Sequence, residues 1–139
     1  IRLPVRLSYT FTHNEFKTEF SSKNPQFADV VVGDQLPYVP SHQGALNLGV
    51  EGDIWGFNIA ATLVDAMLEA AGHPDDEDAQ LTDLLTLVDL AAMVRPTEEV
   101  ELYIKAENVL MQEAIVSRRP YGARPNRPFS FSLGVKLHL

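Results

Sequence analysis

From Phe129 to Leu139 the chain alternates without a break. Phe129, Phe131, Leu133, Val135, Leu137 and Leu139 are apolar, and Ser130, Ser132, Gly134, Lys136 and His138 stand between them. Period two with one apolar face marks a β-strand whose two sides meet different surroundings, and a helix would scatter the same residues around its circumference. The pattern recurs. Leu3, Val5, Leu7, Tyr9 and Phe11 alternate with polar Arg6, Ser8, Thr10 and Thr12; Leu46, Leu48 and Val50 alternate with Ala45, Asn47 and Gly49. Trp55, Phe57, Ile59, Ala61 and Leu63 alternate with Gly56, Asn58, Ala60 and Thr62, and Val100, Leu102, Ile104 and Ala106 with Glu101, Tyr103, Lys105 and Glu107.

The connections differ in length on the two sides. "EGD" (51–53) and "RPTE" (95–98) read as short turns, whereas the Pro-, Asn- and Asp-bearing stretches at about 21–41, 70–80 and 117–127 read as long loops. Short turns at one end and long loops at the other is the pattern of an up-and-down outer-membrane barrel, and strands of about ten residues suit a tilted crossing of a bilayer. A soluble sandwich shares the alternation. Two segments oppose it: "NIAATLVDAMLEAAG" and "AQLTDLLTLVDLAAMV" are rich in helix formers, and Leu81, Leu84, Leu85 and Val88 keep helical spacing. The alternative is therefore a soluble α+β interaction module with two central helices and no catalytic activity.

Composition narrows the function classes. The 139 residues carry 19 acidic and 11 basic side chains, a net charge of −8, which argues against nucleic acid as a partner. With no cysteine, disulfides, zinc knuckles and thiol catalysis are excluded. No stretch has the length and apolarity of a transmembrane helix or the pattern of a signal peptide, and the opening "IRLPVRLSYTF" reads as a cut piece. No "GxSxG" and no phosphate-cradling Gly-rich loop is present, so no enzyme and no cofactor is expected. His73 with Asp75, Asp76, Glu77 and Asp78 offers oxygen ligands for a divalent cation, but without the spacing of a calcium loop; a solvated acidic loop is the simpler reading. His13, His42 and His138 read as isolated polar histidines.

The tail "SRRPYGARPNRPFSFSLGVKLHL" resembles the carboxyl end of a TonB-dependent outer-membrane receptor of the ferric-dicitrate type. "LPVRLSYTFTHNEF", "GDQLPYVPSHQGALNLGV" and "VDLAAMVRPTEEVELYIKAENVL" resemble, in order, a late barrel strand, the loop and strand after it, and the next hairpin of that family. The resemblance spans residues 1–139. It implies an all-β, antiparallel transmembrane barrel of 22 strands closed by an amino-terminal plug, located in the outer membrane of a Gram-negative bacterium. Such receptors import ferric chelates with energy delivered by TonB. This chain would be about the last six strands, unable to close alone. Its partners would be the plug and earlier strands of the same receptor, outer-membrane lipid, a ferric citrate or siderophore ligand, and TonB through the missing amino-terminal part. The chain departs from the family at Leu139, where an aromatic residue is usual. It departs again in "VLMQEA", with Met111 and Ala114, and at Leu84 and Val94.

With that resemblance, Tyr9, Phe11, Trp55, Phe57, Phe129 and Phe131 become candidates for aromatic belts at the membrane interfaces, and Asp89 and Lys105 for a lumenal charge network. The loop "SRRPYGARPNRP" becomes the last extracellular loop, stiffened by its prolines and bent at Gly122. Arg118, Arg119, Arg124 and Arg127 are the candidate substrate-binding residues, because guanidinium forks bind carboxylates in bidentate fashion; Tyr121 and Asn126 would add neutral contacts. Competing partners for the arginines are lipopolysaccharide phosphates or the lumenal Glu101 and Glu107.

Overall fold

A computed structural model describes residues 1–138. Leu139, the last apolar position of the alternating tail, lies outside the described residues. The elements are β1 (Val5–Phe11), β2 (Phe20–Ser21), β3 (Asp29–Val30), β4 (His42–Glu51), β5 (Trp55–Val64), β6 (Leu85–Val94), β7 (Val100–Glu107), β8 (Ile115–Ser117), β9 (Arg124–Pro125) and β10 (Ser130–Leu137). Six of them form one antiparallel sheet in the order β1-β4-β5-β6-β7-β10; β2 pairs with β3, and β8 with β9. The protein is all-β, and the large sheet is an up-and-down meander.

Residues directly opposite one another in an antiparallel pair project on the same side. One row across the sheet therefore reads Val5, Leu48, Ile59, Leu90, Ala106 and Phe131, every member apolar. The next rows, Val50–Phe57–Ala92–Ile104–Leu133 and Trp55–Val94–Leu102–Val135, repeat it. The opposite side reads Arg6–Asn47–Ala60–Asp89 and Gly49–Asn58–Ala91–Lys105–Ser132. The alternation of the other strands thus registers with their neighbours', while β6 adds Leu85, Leu87, Ala91 and Met93 beside Asp89 on the polar side. The result is a sheet with one apolar face and one mixed face that carries the charged side chains.

The polar face has its own contacts. Asn47 and Asn58 exchange side-chain hydrogen bonds at 2.8 and 3.2 Å. The Tyr103 ring lies on Gly134, where an added Cβ would stand 2.3 Å from it, and the Lys136 ammonium sits 5.3 Å from the same ring. Only glycine at 134 lets the ring lie flat on the sheet.

Neither segment of helical composition is a helix: residues 58–64 and 85–94 are strand, and 65–72 and 79–84 belong to the second loop. Trp55–Val64 and Leu85–Val94 pair with each other along their full length and with β4 and β7 on their outer sides. Helix propensities differ by only about 0.7 kcal/mol per ordinary residue, which two-sided ladders and same-face packing override. Among the described residues there is no helix, so the α+β alternative is not the fold of this chain. The sheet is also not closed: β1 and β10 are its two edges. The long loops run wider than expected from sequence, spanning 12–41, 65–84 and 108–129, with β2–β3 and β8–β9 as small hairpins inside the first and third.

The core is not under the sheet. The buried apolar residues are Val30, Leu68 and Ala114, and buried Glu69, Thr82 and Asn108 accompany them. All six lie in the loop segments; among the described residues the one further buried polar residue, Glu101, is on β7. On the apolar face, in contrast, Leu7 and Leu133 are each 74% exposed, and even central Phe57 and Ile104 are 39% exposed.

Candidate functional site

The three long loops leave the sheet at the same end and are bonded into one layer. Gln35 and Gly72 exchange backbone hydrogen bonds, Ala71 N donates to Gln26 O at 2.8 Å, and Tyr38 N to Leu68 O at 2.8 Å; these join the first loop to the second. Asp83 N donates to Ile115 O at 2.9 Å while Ile115 N donates to the Asp83 carboxylate at 2.6 Å, joining the second to the third. Phe16, Phe20 and Phe27 pack edge-on or tilted against one another inside the first loop. Also in that loop, the Lys17 ammonium donates to Glu15 and holds its carboxyl below the ordinary glutamate range. That pairing leaves the two side chains neutral together.

Asn108 fixes the start of the third loop. It is fully buried at φ +51°, a region in which asparagine is among the few tolerated side chains. Its backbone N donates to Asp89 at 2.9 Å, and its amide group donates to the carbonyls of Gln112 and Arg127, both at 3.0 Å. Its Oδ1 accepts from Gln112 N at 3.1 Å. Asn108→Ala is expected to cost about 2 kcal/mol, from three lost side-chain hydrogen bonds and the Gln112 N–H left without its acceptor. Limited proteolysis checks this: cleavage should rise within 108–129 while the sheet stays resistant.

The six candidate binding residues divide three ways. Arg127 reaches the polar face of the sheet, where it spans Asp89 and Glu107, both at 2.7 Å; Lys105 and Ser130 also bond Glu107, at 2.6 and 3.1 Å. Arg118 donates to the fully buried Glu69 at 2.8 Å and to Leu81 O at 2.7 Å. Asn126 turns inward: its Oδ1 accepts from Ala114 N at 2.8 Å, and its amide donates to Gln112 O and Arg127 O. These three side chains hold the loop in place. Tyr121, 90% exposed, and Arg124, on β9, stand in solvent at the loop surface.

Arg119 differs from all of them. It lines a cleft of about 320 Å³ with Pro120, Tyr38, Asn24, Pro25 and Gln26, and its Nε is buried with no hydrogen-bond partner among the described residues. A second hollow, of about 270 Å³, lies on the polar face between Gly49, Gly56, Asn58, Tyr103, Glu101 and Lys136. Glu101 there pairs with Arg95 and Lys136, both at 2.9 Å. Asp89 and Lys105 thus belong to one paired cluster, with Arg127 and Glu107, at the loop end of β7, and Arg95, Glu101 and Lys136 form a second near its other end.

Other expected features fall as follows. The aromatic residues separate to the two ends of the apolar face, Tyr9, Phe11 and Phe131 toward the loops and Trp55 and Phe57 toward the turns, with Phe129 just before β10. His42 joins the loop-side group: Tyr9 Oη lies 2.7 Å from its Nδ1, and Phe11 packs at 5.1 Å. His73 and Asp75–Asp78 are exposed, and no group of three or more metal-ligating side chains exists among the described residues. Sequence reasoning missed Glu69, Tyr38, Asn24, Gln26 and Asn108. Asn108 alone had a local signal, an asparagine at the end of a strand.

No family model, curated protein or solved structure matches the chain.

Proposed function

We propose that the chain is a wall segment of an outer-membrane β-barrel: about the last six strands of a TonB-dependent receptor that takes up a ferric chelate. One observation carries the membrane reading, the uncovered apolar face that runs across six strands while the charged side chains of the sheet gather on the reverse face. With strands about 4.8 Å apart, that face is roughly 25 Å wide. It exceeds what soluble monomers ordinarily leave open to water. The height agrees too. The ten residues of β4 rise about 33 Å along the strand, and at a barrel tilt of about 40° they span about 25 Å, the height of an outer-membrane apolar band. Aromatic side chains sit at both ends of that band, and short turns and long loops occupy opposite ends of the sheet, as in such barrels.

In this reading β1 and β10 pair with further strands of the same receptor, because lipid cannot satisfy an open sheet edge. The polar face lines the lumen, where the plug would sit, and the loop layer is extracellular. The ferric-chelate assignment rests on the four resembling segments and on the arginine-rich loop. The full-length polypeptide carrying this chain should fold only with detergent or lipid and migrate faster unheated than heated on a denaturing gel. Cells carrying it should accumulate ferric citrate or a ferric siderophore only while TonB is present. A protein folded and monomeric in plain buffer would remove the barrel reading; TonB-independent accumulation would remove the transport reading.

A further inference from the structure

Two neighbouring arginines of the third loop meet opposite fates. Arg118 is neutralised by Glu69, whereas among the described residues no carboxylate pairs with Arg119 and its Nε is buried without a partner. A desolvated donor left unpaired is destabilising, and more so when it is charged. The residue lines the cleft, so an acceptor that enters can take the rest of its guanidinium group. An anion is the acceptor a guanidinium fork fits best.

The rest of the lining suits the same kind of guest. Asn24, Gln26 and Tyr38 are neutral hydrogen-bonding residues, Pro25 and Pro120 are rigid and apolar, and no acidic residue lines the cleft. The Asn24 Oδ1 accepts Gln26 N at 3.0 Å, which leaves the Asn24 amide protons and the Gln26 carboxamide open to a ligand. The Ser117 hydroxyl stands 3.3 Å from Tyr38 Oη and 3.0 Å from Arg119 O, tying two walls together. Tyr38 sits at φ +57°, which is uncommon for an aromatic residue; its backbone is held there by Leu68. Such locally strained positions concentrate at ligand clamps. The cleft is assembled from the first and third loops, so it exists only when the loop layer is closed.

We propose that this cleft binds one oxyanion group, a carboxylate or a phosphate, with Arg119 as its cation and Tyr38, Asn24 and Gln26 as neutral donors. The site deepens the transport reading and rests on it only for the source of the anion: the carboxylate of a soluble chelate, or the phosphate of a lipid headgroup.

The test titrates citrate and inorganic phosphate separately into the full-length polypeptide, by calorimetry. Arg119→Gln should weaken the tighter anion at least tenfold, and Tyr38→Phe, which removes only a hydroxyl, about threefold. Lys17→Gln, in the same layer but paired with Glu15, should stay within twofold. Preference for citrate assigns a soluble carboxylate ligand, and preference for phosphate a phosphorylated headgroup. If Arg119→Gln does not fold, Tyr38→Phe and Gln26→Ala decide. The proposal is overturned if neither anion binds the unaltered protein at millimolar concentration, or if every folded cleft variant binds within twofold of it. Arg119-dependent binding by a protein that folds without detergent would keep the site and sink the membrane reading. A detergent-dependent barrel that binds neither anion would do the reverse.

Discussion

On the membrane reading, Ile59→Arg is expected to destabilise the folded protein by about 2–4 kcal/mol, the cost of a guanidinium near the bilayer midplane on a strand that faces lipid. Ile59 is mid-strand, with Leu48 and Leu90 directly opposite on its two sides, so the charge would have no partner and the longest path to either interface. The adjacent Ala60→Lys is the control. Ala60 projects from the other face, between Asn47 and Asp89. A lysine there meets polar neighbours and a carboxylate, and should change stability by less than about 1 kcal/mol. Denaturant unfolding of the full-length protein in lipid vesicles measures both. Equal costs at 59 and 60 would mean that the two faces see the same surroundings, and the membrane reading would fail. If the apolar face were open to water instead, Ile59→Arg would improve solubility at little cost.

Arg118→Met should loosen the loop layer by about 3 kcal/mol, the lower end of the range for removing one partner of a buried ion pair. The asymmetry of burial sets the direction. Glu69 is fully buried, with one oxygen on Arg118 and the other without a partner among the described residues, while the Arg118 side chain is 35% exposed. Removing the arginine strands a buried carboxylate; removing the charge from the acid leaves a cation that water still reaches. Glu69→Gln should therefore cost less than Arg118→Met, and the double variant less than the sum of the two. Hydrogen exchange of the 65–84 and 108–129 amides is the measurement. A larger cost for Glu69→Gln than for Arg118→Met would show that the pair is not the tie between these loops. The same geometry bears on any binding assay, because lost ligand affinity in an Arg118 variant would report loop collapse as readily as a lost contact.

How far the residues alone led differs from element to element. β1, β4, β7 and β10 were legible because alternation needs no partner to be seen: Val5, Leu7, Tyr9 and Phe11 share a side in any extended chain. β6 was ambiguous. Leu85, Val88 and neighbouring leucines satisfy helical spacing as well as a strand, and the matter is settled by the ladders to β5 and β7 on either side. The loop boundaries were drawn too narrow because 12–20, 65–69 and 108–116 contain apolar residues such as Phe16, Leu68 and Ala114 that pack within the loop layer instead of the sheet.

The candidate binding residues were harder still. The arginine cluster at 118–127 was visible in the sequence, and so was its competition with acidic partners. Which arginine each acid takes was not. Glu69 lies 49 residues from Arg118, and Asp89 lies 38 from Arg127; local spacing carries no information about such pairs. By itself the sequence determined the two-faced strands, the alternation of short and long connections, and the supply of loop cations, since each follows from side-chain chemistry at fixed backbone periods. Only the tertiary structure decided that the apolar rows register across all six strands, that Arg118 and Arg127 are spent on carboxylates, and that Arg119 is left facing a cleft. Those outcomes depend on strand register and loop closure, which bring together groups that the chain keeps far apart.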